Sequence, residues 1–392
     1  MKKQYVATMI AGVAALAIAG SASAQTVLRL TGSTAFRGAT HNAIKAMMDP
    51  GYTYGFSGSS LGSAGQAEFR GTVTISGVAY PVDIKTSWSG SVAGVQSLDQ
   101  GLTLANWLNS SSLSTTGTPS LSGPYDAATK PDVAMADSFQ SSSLYTSVSL
   151  ADTVVGVCPF EWIANPACPA GLNNMTARLA MVFLNGSVPA NMLTGNGADA
   201  AVTVYPVGRD ESSGTRVDTF AETGYGVFGA PFQYQVAING VYGAGGSATN
   251  LVTAVQPWPQ AVVLGVTYPV GHSGYGSGGT LASVIGTPSS IALIGYAGIS
   301  DANTAIGIGA KALTYNGVAY SPTAVEEGSY TFWAYEHLMY RSDLLTGTPK
   351  AIADKLATTF QAQTTAQLAP AGIALSDMHV SRPIEGGDIT SQ

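Results

Sequence analysis

Apolar and polar positions along the chain follow two alternating patterns. Short apolar or alternating segments predict β-strands, and longer segments with apolar residues at three- and four-residue spacing predict helices. Because strands that alternate with helices favour a sheet covered by helices, the pattern predicts an α/β fold. The predicted strands are residues 26–30, 72–75, 82–86, 132–136, 152–159, 202–207 and 291–296. The predicted helices are residues 36–48, 92–98, 330–340 and 351–363, with another beginning inside 209–222.

The first 24 residues have the pattern of a secretory signal peptide. Two lysines precede an apolar stretch at residues 6–20, and a small-residue cleavage motif follows at residues 22–24. The alternative is a membrane anchor, but the stretch is shorter than the ~20 residues of a spanning helix. No cysteine follows it, which disfavours a lipoprotein. We therefore expect cleavage before Gln25 and a protein that is periplasmic or secreted.

The composition excludes several classes of protein. Only 10% of the 392 residues are charged and 45% are hydrophobic. The hydrophobic fraction excludes a disordered chain, since such chains are poor in apolar residues. A polytopic membrane protein is also excluded, because it would need long apolar segments beyond the one at residues 6–20. Without residues 1–24 the chain has 14 basic and 23 acidic residues, a net charge of −9. This charge argues against nucleic acid as a partner, since phosphate backbones are bound by clustered lysine and arginine.

Cysteine and histidine are too sparse to indicate a metal site. The four histidines are scattered without the spacing of zinc ligands, so no metal and no cofactor are expected. Cys158 and Cys168 lie ten residues apart. In an exported protein a disulfide between them is permitted and is our prediction. The alternative is two unpaired buried thiols.

One motif recurs three times: an apolar strand, a turn of Gly, Ser or Thr, and the start of a helix. It occurs at residues 32–34, 90–91 and 213–215. A helix N-terminus presents unpaired N–H groups and a positive dipole end, and glycine lets an anion approach the backbone. Any one of these turns is explained by ordinary helix capping. Together they predict an anion-binding cradle if the fold brings them to one place.

The segment RDESSGTRVDTF at residues 209–220 resembles the signature of the periplasmic phosphate-binding proteins of ABC importers. In that family three residues separate an arginine from a following Ser-Gly-Thr, as they separate Arg209 from Ser213, Gly214 and Thr215. Further segments resemble the family in the same order, although residues 51–71 and 224–290 have no counterpart and Thr331 replaces a usual proline. These segments are GSTAF (32–36), WSGSVAGVQSL (88–98), DVAMADSF (132–139), VVGVCPFEWIAN (154–165), LIGYAGIS (293–300) and EEGSYTFWAYEHL (326–338).

The resemblance implies a type II periplasmic-binding-protein fold, with two α/β lobes and a ligand cleft between them. Lobe I would contain residues 25–157 and 296–392, and lobe II residues 158–295. The implied function is capture of hydrogen phosphate or a related oxyanion for an ABC permease, without catalysis.

The resemblance also implies the ligand-binding residues. The guanidinium of Arg209 offers two parallel donors to an anion. The carboxylate of Asp137 accepts the proton of hydrogen phosphate but repels unprotonated sulfate, which provides selectivity. The alternatives are a strand-end cap for Asp137 and a surface ion pair for Arg209. The implied ligand-binding residues are Ser33, Thr34, Ala35, Phe36, Ser91, Asp137, Arg209, Ser213, Gly214 and Thr215.

Two other functions compete with anion capture. The low charge and the region 224–290, rich in Gly, Tyr and Ser, would also suit an extracellular structural or adhesive protein built on the same fold. A hydrolase is disfavoured. The G-x-S-x-G match at residues 58–62 follows no predicted strand and has no histidine placed to serve it.

Overall fold

A computed structural model describes residues 25–392, and the predicted signal peptide of residues 1–24 lies outside the described residues. The strands are β1 (Thr26–Gly32), β2 (Thr53–Phe56), β3 (Gln66–Ile75), β4 (Val78–Ser87), β5 (Val133–Ala136), β6 (Ala151–Ala164), β7 (Asn174–Met175), β8 (Val188–Pro189), β9 (Thr203–Pro206), β10 (Tyr234–Ile238), β11 (Val241–Tyr242), β12 (Val252–Pro257), β13 (Ala261–Val263), β14 (Val266–Tyr268), β15 (Ala292–Gly298), β16 (Lys311–Ala312), β17 (Thr314–Tyr315), β18 (Trp333–Tyr340), β19 (Val380–Ser381) and β20 (Thr390–Ser391). The α-helices are α1 (Arg37–Met47), α2 (Ser91–Gln100), α3 (Ala177–Phe183), α4 (Asn191–Thr194), α5 (Gly214–Glu222), α6 (Gly278–Gly286), α7 (Ile299–Ile308), α8 (Pro322–Glu326), α9 (Gly347–Gln361) and α10 (Thr365–Leu368).

Eleven strands form one mixed sheet. Its order is β2-β3-β4-β1-β5-β18-β6-β15-β9-β8, and β16 also pairs with β6. β1 is parallel to β4 and β5, and β15 is parallel to β9, whereas β18 is antiparallel to both of its neighbours. The α/β class predicted from the sequence is confirmed.

The long strand β6 joins two halves of this sheet. Its residues 151–159 pair with β18, and its residues 160–164 pair with β15. We refer to β2, β3, β4, β1, β5 and β18 as the first half, and to β15, β9 and β8 as the second half. The expected two-part α/β architecture is confirmed. The predicted lobe boundaries at 157/158 and 295/296 fall inside β6 and β15 and stay a prediction.

Apolar clusters hold the helices against the sheet. Leu281 of α6 packs with Leu293 of β15 in one of them. Val95 of α2 and Val217 of α5 belong to another, together with Ala134 of β5. Because α2 follows β4 of the first half and α5 follows β9 of the second half, this cluster holds the two halves together. Within residues 25–392, no helix combines the length and the apolar character that crossing a bilayer requires.

The helix predicted at residues 330–340 is wrong, since Trp333–Tyr340 is strand β18. β18 lies between β5 and β6, and seven of its eight residues are buried. A strand that is covered on both faces has apolar residues on both, and periodicity cannot distinguish such a segment from a buried helix.

The glycine-rich region 224–290 is part of the folded core. It contains a three-stranded sheet of β11, β10 and β12, the hairpin β13–β14 and helix α6. Helix α6 was not predicted, because its first residues are glycines. Val236, Ile238 and Val252 of this region are buried in the same cluster as α6.

The predicted disulfide is wrong, since Cys158 and Cys168 are both free and buried. Cys158 lies within β6 opposite Ala334, and the strand continues to Ala164. Those six residues of extended chain span about 20 Å. The N–H of Cys168 donates to the carbonyl of Asn165, so this residue stays near the far end of the strand. The two Cα atoms are therefore beyond the ~7 Å that a disulfide bridges.

Candidate functional site

The three predicted anion-binding turns lie against one another. The carbonyl of Gly32 accepts a hydrogen bond of 2.8 Å from the N–H of Gly90, which joins the turns after β1 and β4. The carbonyl of Ser212 accepts one of 3.0 Å from the N–H of Val92, which joins the turn before α5 to the start of α2. Gly90 has φ of +97°, and a Cβ there would lie 2.4 Å from the carbonyl oxygen of Ser212. Only glycine permits this approach.

Asp137 lies where the turns meet, and its side chain is only 1% exposed. The Ser91 hydroxyl donates to Oδ1 at 2.5 Å and the Thr215 hydroxyl donates to Oδ2 at 3.3 Å. Asp137 therefore accepts from side chains at the starts of α2 and α5, rather than capping a strand through a backbone N–H. Burial raises the pKa of Asp137, and the hydrogen bond from Ser91 and the charge of Arg209 oppose that rise.

The starts of α2 and α5 and the turn before α1 leave several backbone donors unpaired. α2 begins at Ser91 after Gly90, a residue that has no side chain to cap it. The first N–H groups of a helix have no partner within the helix, so they are available to an anion unless another group accepts from them. The predicted site residues whose N–H has no acceptor among the described residues are Thr34, Ala35, Ser91, Gly214 and Thr215.

Two of the predicted serines already accept hydrogen bonds from backbone N–H groups, Ser213 as the cap of α5 and Ser33 in the turn before α1. The Ser33 hydroxyl oxygen accepts from the N–H of Phe36 at 3.3 Å, and that of Ser213 accepts from the N–H of Arg216 at 3.3 Å. The N–H of Phe36, which the resemblance implied as a donor to the ligand, is therefore engaged. Each serine retains its hydroxyl proton, because a hydroxyl that accepts one hydrogen bond can still donate another.

Arg209 is buried and rigidly held rather than paired on the surface. It is 2% exposed, its Nε donates to the carbonyl of Tyr275 at 3.0 Å, and its Nη2 donates to the carbonyl of Gly276 at 3.1 Å. Glu211, a possible surface partner of Arg209, pairs with Arg216 at 3.3 Å instead. The remaining nitrogen, Nη1, points toward the start of α6, where a Cβ on Gly278 would lie 3.4 Å from it.

Two more buried carboxyls lie near Asp137, and sequence reasoning missed both as site residues. Asp218 is 2% exposed, Glu336 is fully buried, and none of their carboxyl oxygens has a hydrogen-bond partner among the described residues. Burial, followed by the charge of Asp137, raises the pKa of each well above its usual range. Both therefore hold a proton at pH values where exposed carboxyls are ionised, which limits the negative charge around the site.

Comparisons with known proteins give matches in structure but not in sequence. No family model matches the chain. No curated protein matches it.

The solved structures that resemble this fold include phosphate-binding proteins. One, from Clostridium perfringens, is assigned to the substrate-binding proteins of phosphate ABC transporters and contains bound phosphate. It is 14% identical, with a TM-score of 0.48 over 84% of this chain and 93% of its own. An ABC-type phosphate transport receptor from Vibrio cholerae is 12% identical, with a TM-score of 0.46 over 88% and 96%. PstS from Borrelia burgdorferi is 12% identical, with a TM-score of 0.39 over 89% and 99%.

Proposed function

We propose that the protein is an exported, non-catalytic solute-binding protein that captures hydrogen phosphate and delivers it to an ABC permease. The observation that carries this proposal is the contact of three helix-start turns from both halves of the sheet: two of them donate to Asp137, the third joins them through Gly32 and Gly90, and the charge of the buried Arg209 acts on Asp137.

The donor set suits a small oxyanion. Unpaired N–H groups in the turn before α1 and at the starts of α2 and α5 supply donors in fixed directions, and the helix dipoles add positive potential there. Arg209 supplies the one full positive charge, and its Nη1 makes no hydrogen bond to another described residue. Because the guanidinium is already held by two carbonyls, little side-chain entropy is lost when it binds an anion.

Asp137 provides the selectivity. An ionised carboxylate accepts hydrogen bonds only, so it binds the proton of hydrogen phosphate and repels an oxyanion that has none. The hydroxyls of Ser91 and Thr215 donate their single protons to Asp137, and each can turn to donate to a phosphate oxygen once the ligand proton takes its place on the carboxylate. Hydrogen phosphate can therefore donate its proton to Asp137 in place of the hydrogen bonds from Ser91 and Thr215. Sulfate has no proton to donate, so its oxygen would lie against the carboxylate of Asp137 with both groups negative.

The alternative of an adhesive protein has less support. It rested on the region 224–290 as a segment for assembly. That region instead buries Val236, Ile238 and Val252 in the core of the second half.

Equilibrium dialysis of the purified protein against labelled phosphate, with sulfate as competitor, tests the proposal. We expect saturable phosphate binding that sulfate does not displace at neutral pH. Arg209→Lys retains the positive charge but loses the two parallel N–H donors of the guanidinium, so it should weaken phosphate binding at least tenfold. Arg209→Ala should weaken phosphate binding further. Arg178, which is exposed on α3, provides the matched control Arg178→Ala. Absence of saturable phosphate binding by the folded protein would overturn the proposal.

A further inference from the structure

A cavity of about 460 Å³ lies beside the proposed phosphate site. Thr34, in the turn before α1, lines it, and so does Gly276, whose carbonyl accepts from Arg209. The cavity therefore adjoins one predicted donor residue of the phosphate site and the loop that holds Arg209.

This cavity is too large for inorganic phosphate alone. Phosphate has five non-hydrogen atoms and would occupy a minor part of such a space, even if it lay inside it. Sites for organic ligands have volumes of about 300–1,000 Å³. The size indicates a ligand with a carbon skeleton.

The tryptophan that lines this cavity is held in a fixed orientation. The Trp88 indole N–H donates to Nε2 of His41 at 3.2 Å, and Nδ1 of His41 lies 2.8 Å from the carbonyl of Leu61. Burial lowers the pKa of His41 to about 3, so the ring is neutral. Its single proton must then be on Nδ1, because Nε2 accepts from Trp88. This network fixes an aromatic ring on the wall of the cavity.

A buried ion pair and several hydroxyls also line the cavity. Arg37 Nη2 lies 3.3 Å from Asp301 Oδ1, each side chain is less than 10% exposed, and the Nε of Arg37 has no hydrogen-bond partner among the described residues. Ser277 and Thr280 at the start of α6 and Thr304 of α7 also line the cavity. A carboxylate beside hydroxyls can accept hydrogen bonds from alcohol groups, and a guanidinium can donate to their oxygens.

Resting on the proposed function, we propose that this site binds the phosphate monoester of a small polyhydroxylated molecule, such as glycerol or a sugar. The phosphoryl group lies at Arg209 and Asp137, and the carbon skeleton lies in the cavity. Trp88 packs against its C–H groups, and Asp301, Arg37 and the hydroxyls bind its alcohols. The pairing of an aromatic face with a polar wall matches a molecule that has apolar C–H faces and a polar edge.

Competition binding tests this inference. The protein is loaded with labelled phosphate at a pH of about 5.5, below the second pKa of about 6 of a phosphate monoester, so that the ester carries the proton that Asp137 accepts. Glycerol 3-phosphate and glucose 6-phosphate are added as competitors, with glycerol and glucose as controls. We expect both esters to displace phosphate with an affinity at least equal to that of phosphate itself, and neither alcohol to do so.

The variant Thr304→Trp tests the contribution of the cavity independently of the phosphoryl site. Thr304 is exposed on α7, so the substitution fills the cavity with little risk to folding, and Asn303→Trp on the same helix is the matched control. We expect Thr304→Trp to weaken the esters at least tenfold and to change phosphate affinity less than twofold. If the protein binds phosphate and neither ester displaces that phosphate, this inference is overturned and the proposed function stays intact. Binding of neither ester nor phosphate would overturn both.

Discussion

The Thr215 hydroxyl, in the first turn of α5, donates a hydrogen bond of 3.3 Å to the carboxylate of Asp137, which directly follows β5. This contact crosses from the second half of the sheet to the first. With the bond from Ser91, it makes Asp137 the negative group on which two helix starts converge. The same hydroxyls are donors in the proposed phosphate site, so ligand binding and the contact between the halves use one set of atoms.

Replacement of Asp137 should alter selectivity. In Asp137→Asn the carboxylate that repels sulfate becomes a neutral amide of the same shape, with donors of its own. We expect phosphate affinity to fall at least tenfold and sulfate to become a competitor, both measured by equilibrium dialysis. Asp388, which is exposed, provides the control Asp388→Asn. An Asp137→Asn variant that binds phosphate normally and still excludes sulfate would contradict the role of this residue.

Exclusion of sulfate should also depend on pH. Because burial raises the pKa of Asp137, the carboxyl takes up a proton at a higher pH than an exposed aspartate. The protonated form can donate to sulfate, so competition by sulfate should increase as the pH falls. In Asp137→Asn there is no such proton, and competition should be nearly constant over the same range. Equal pH profiles for the two proteins would show that another group controls sulfate binding.

The close approach at Gly214 gives a steric test. A Cβ on this residue would lie 1.6 Å from Oδ1 of Asp137, so Gly214→Ala forces the carboxylate or the start of α5 to move. We expect phosphate affinity to fall more than tenfold, and the free energy of unfolding to fall by about 1–3 kcal/mol, as is typical of overpacking. Gly197 has no atom within 4 Å of its Cβ position, so Gly197→Ala should change neither quantity appreciably. Unaltered binding by Gly214→Ala would place the ligand elsewhere.

The parts of the site whose signals are local are predictable from the sequence. A glycine or hydroxyl residue before an amphipathic segment marks a helix start, so Gly32, Gly90 and Ser213 were identifiable without the fold. The sequence could not show that these turns touch, since Val92 and Ser212 are far apart along the chain and meet only through the packing of α2 and α5.

The incorrect and missing predictions concern residues for which burial in the fold outweighs the local sequence pattern. Strand β18 is covered on both faces, which gives it the apolar pattern of a buried helix. Glu336 lies on that strand and Asp218 lies on the inner face of α5, where acidic residues are not expected. Neither could be assigned to the site until the elements around Asp137 were in place.

The cysteines give a chemical test of the fold. With Cys158 and Cys168 both buried and free, protein prepared without reductant should contain two thiols per chain after unfolding, and almost none that react while it is folded. A thiol assay in the presence and absence of guanidinium chloride measures this, and the intact mass should not change on reduction. Fewer than two thiols in the unfolded protein, with a mass increase on reduction, would show that Cys158 and Cys168 form a disulfide after all.

The buried carboxyl of Asp218 should make stability depend on pH. Burial, with the charges of Asp137 and its neighbours, raises the pKa of Asp218 well above its usual range. The folded state therefore retains a proton that the unfolded state loses above a pH of about 4. Each pH unit by which the pKa is raised corresponds to about 1.4 kcal/mol. The contribution of this group to stability is fully present below that pH and is lost as the pH rises through the pKa of the folded state.

Asp218→Asn removes this titration without changing the shape of the side chain. We expect the variant to gain stability relative to the parent as the pH rises from 4 to 8, by about 1 kcal/mol or more at pH 8. Chemical unfolding followed by circular dichroism across that range measures the difference. Asp388→Asn, at an exposed position, should show no such trend. Parallel stability profiles for Asp218→Asn and the parent would mean that Asp218 is ionised in the folded protein, and that the site is more acidic than the proposed phosphate binding allows.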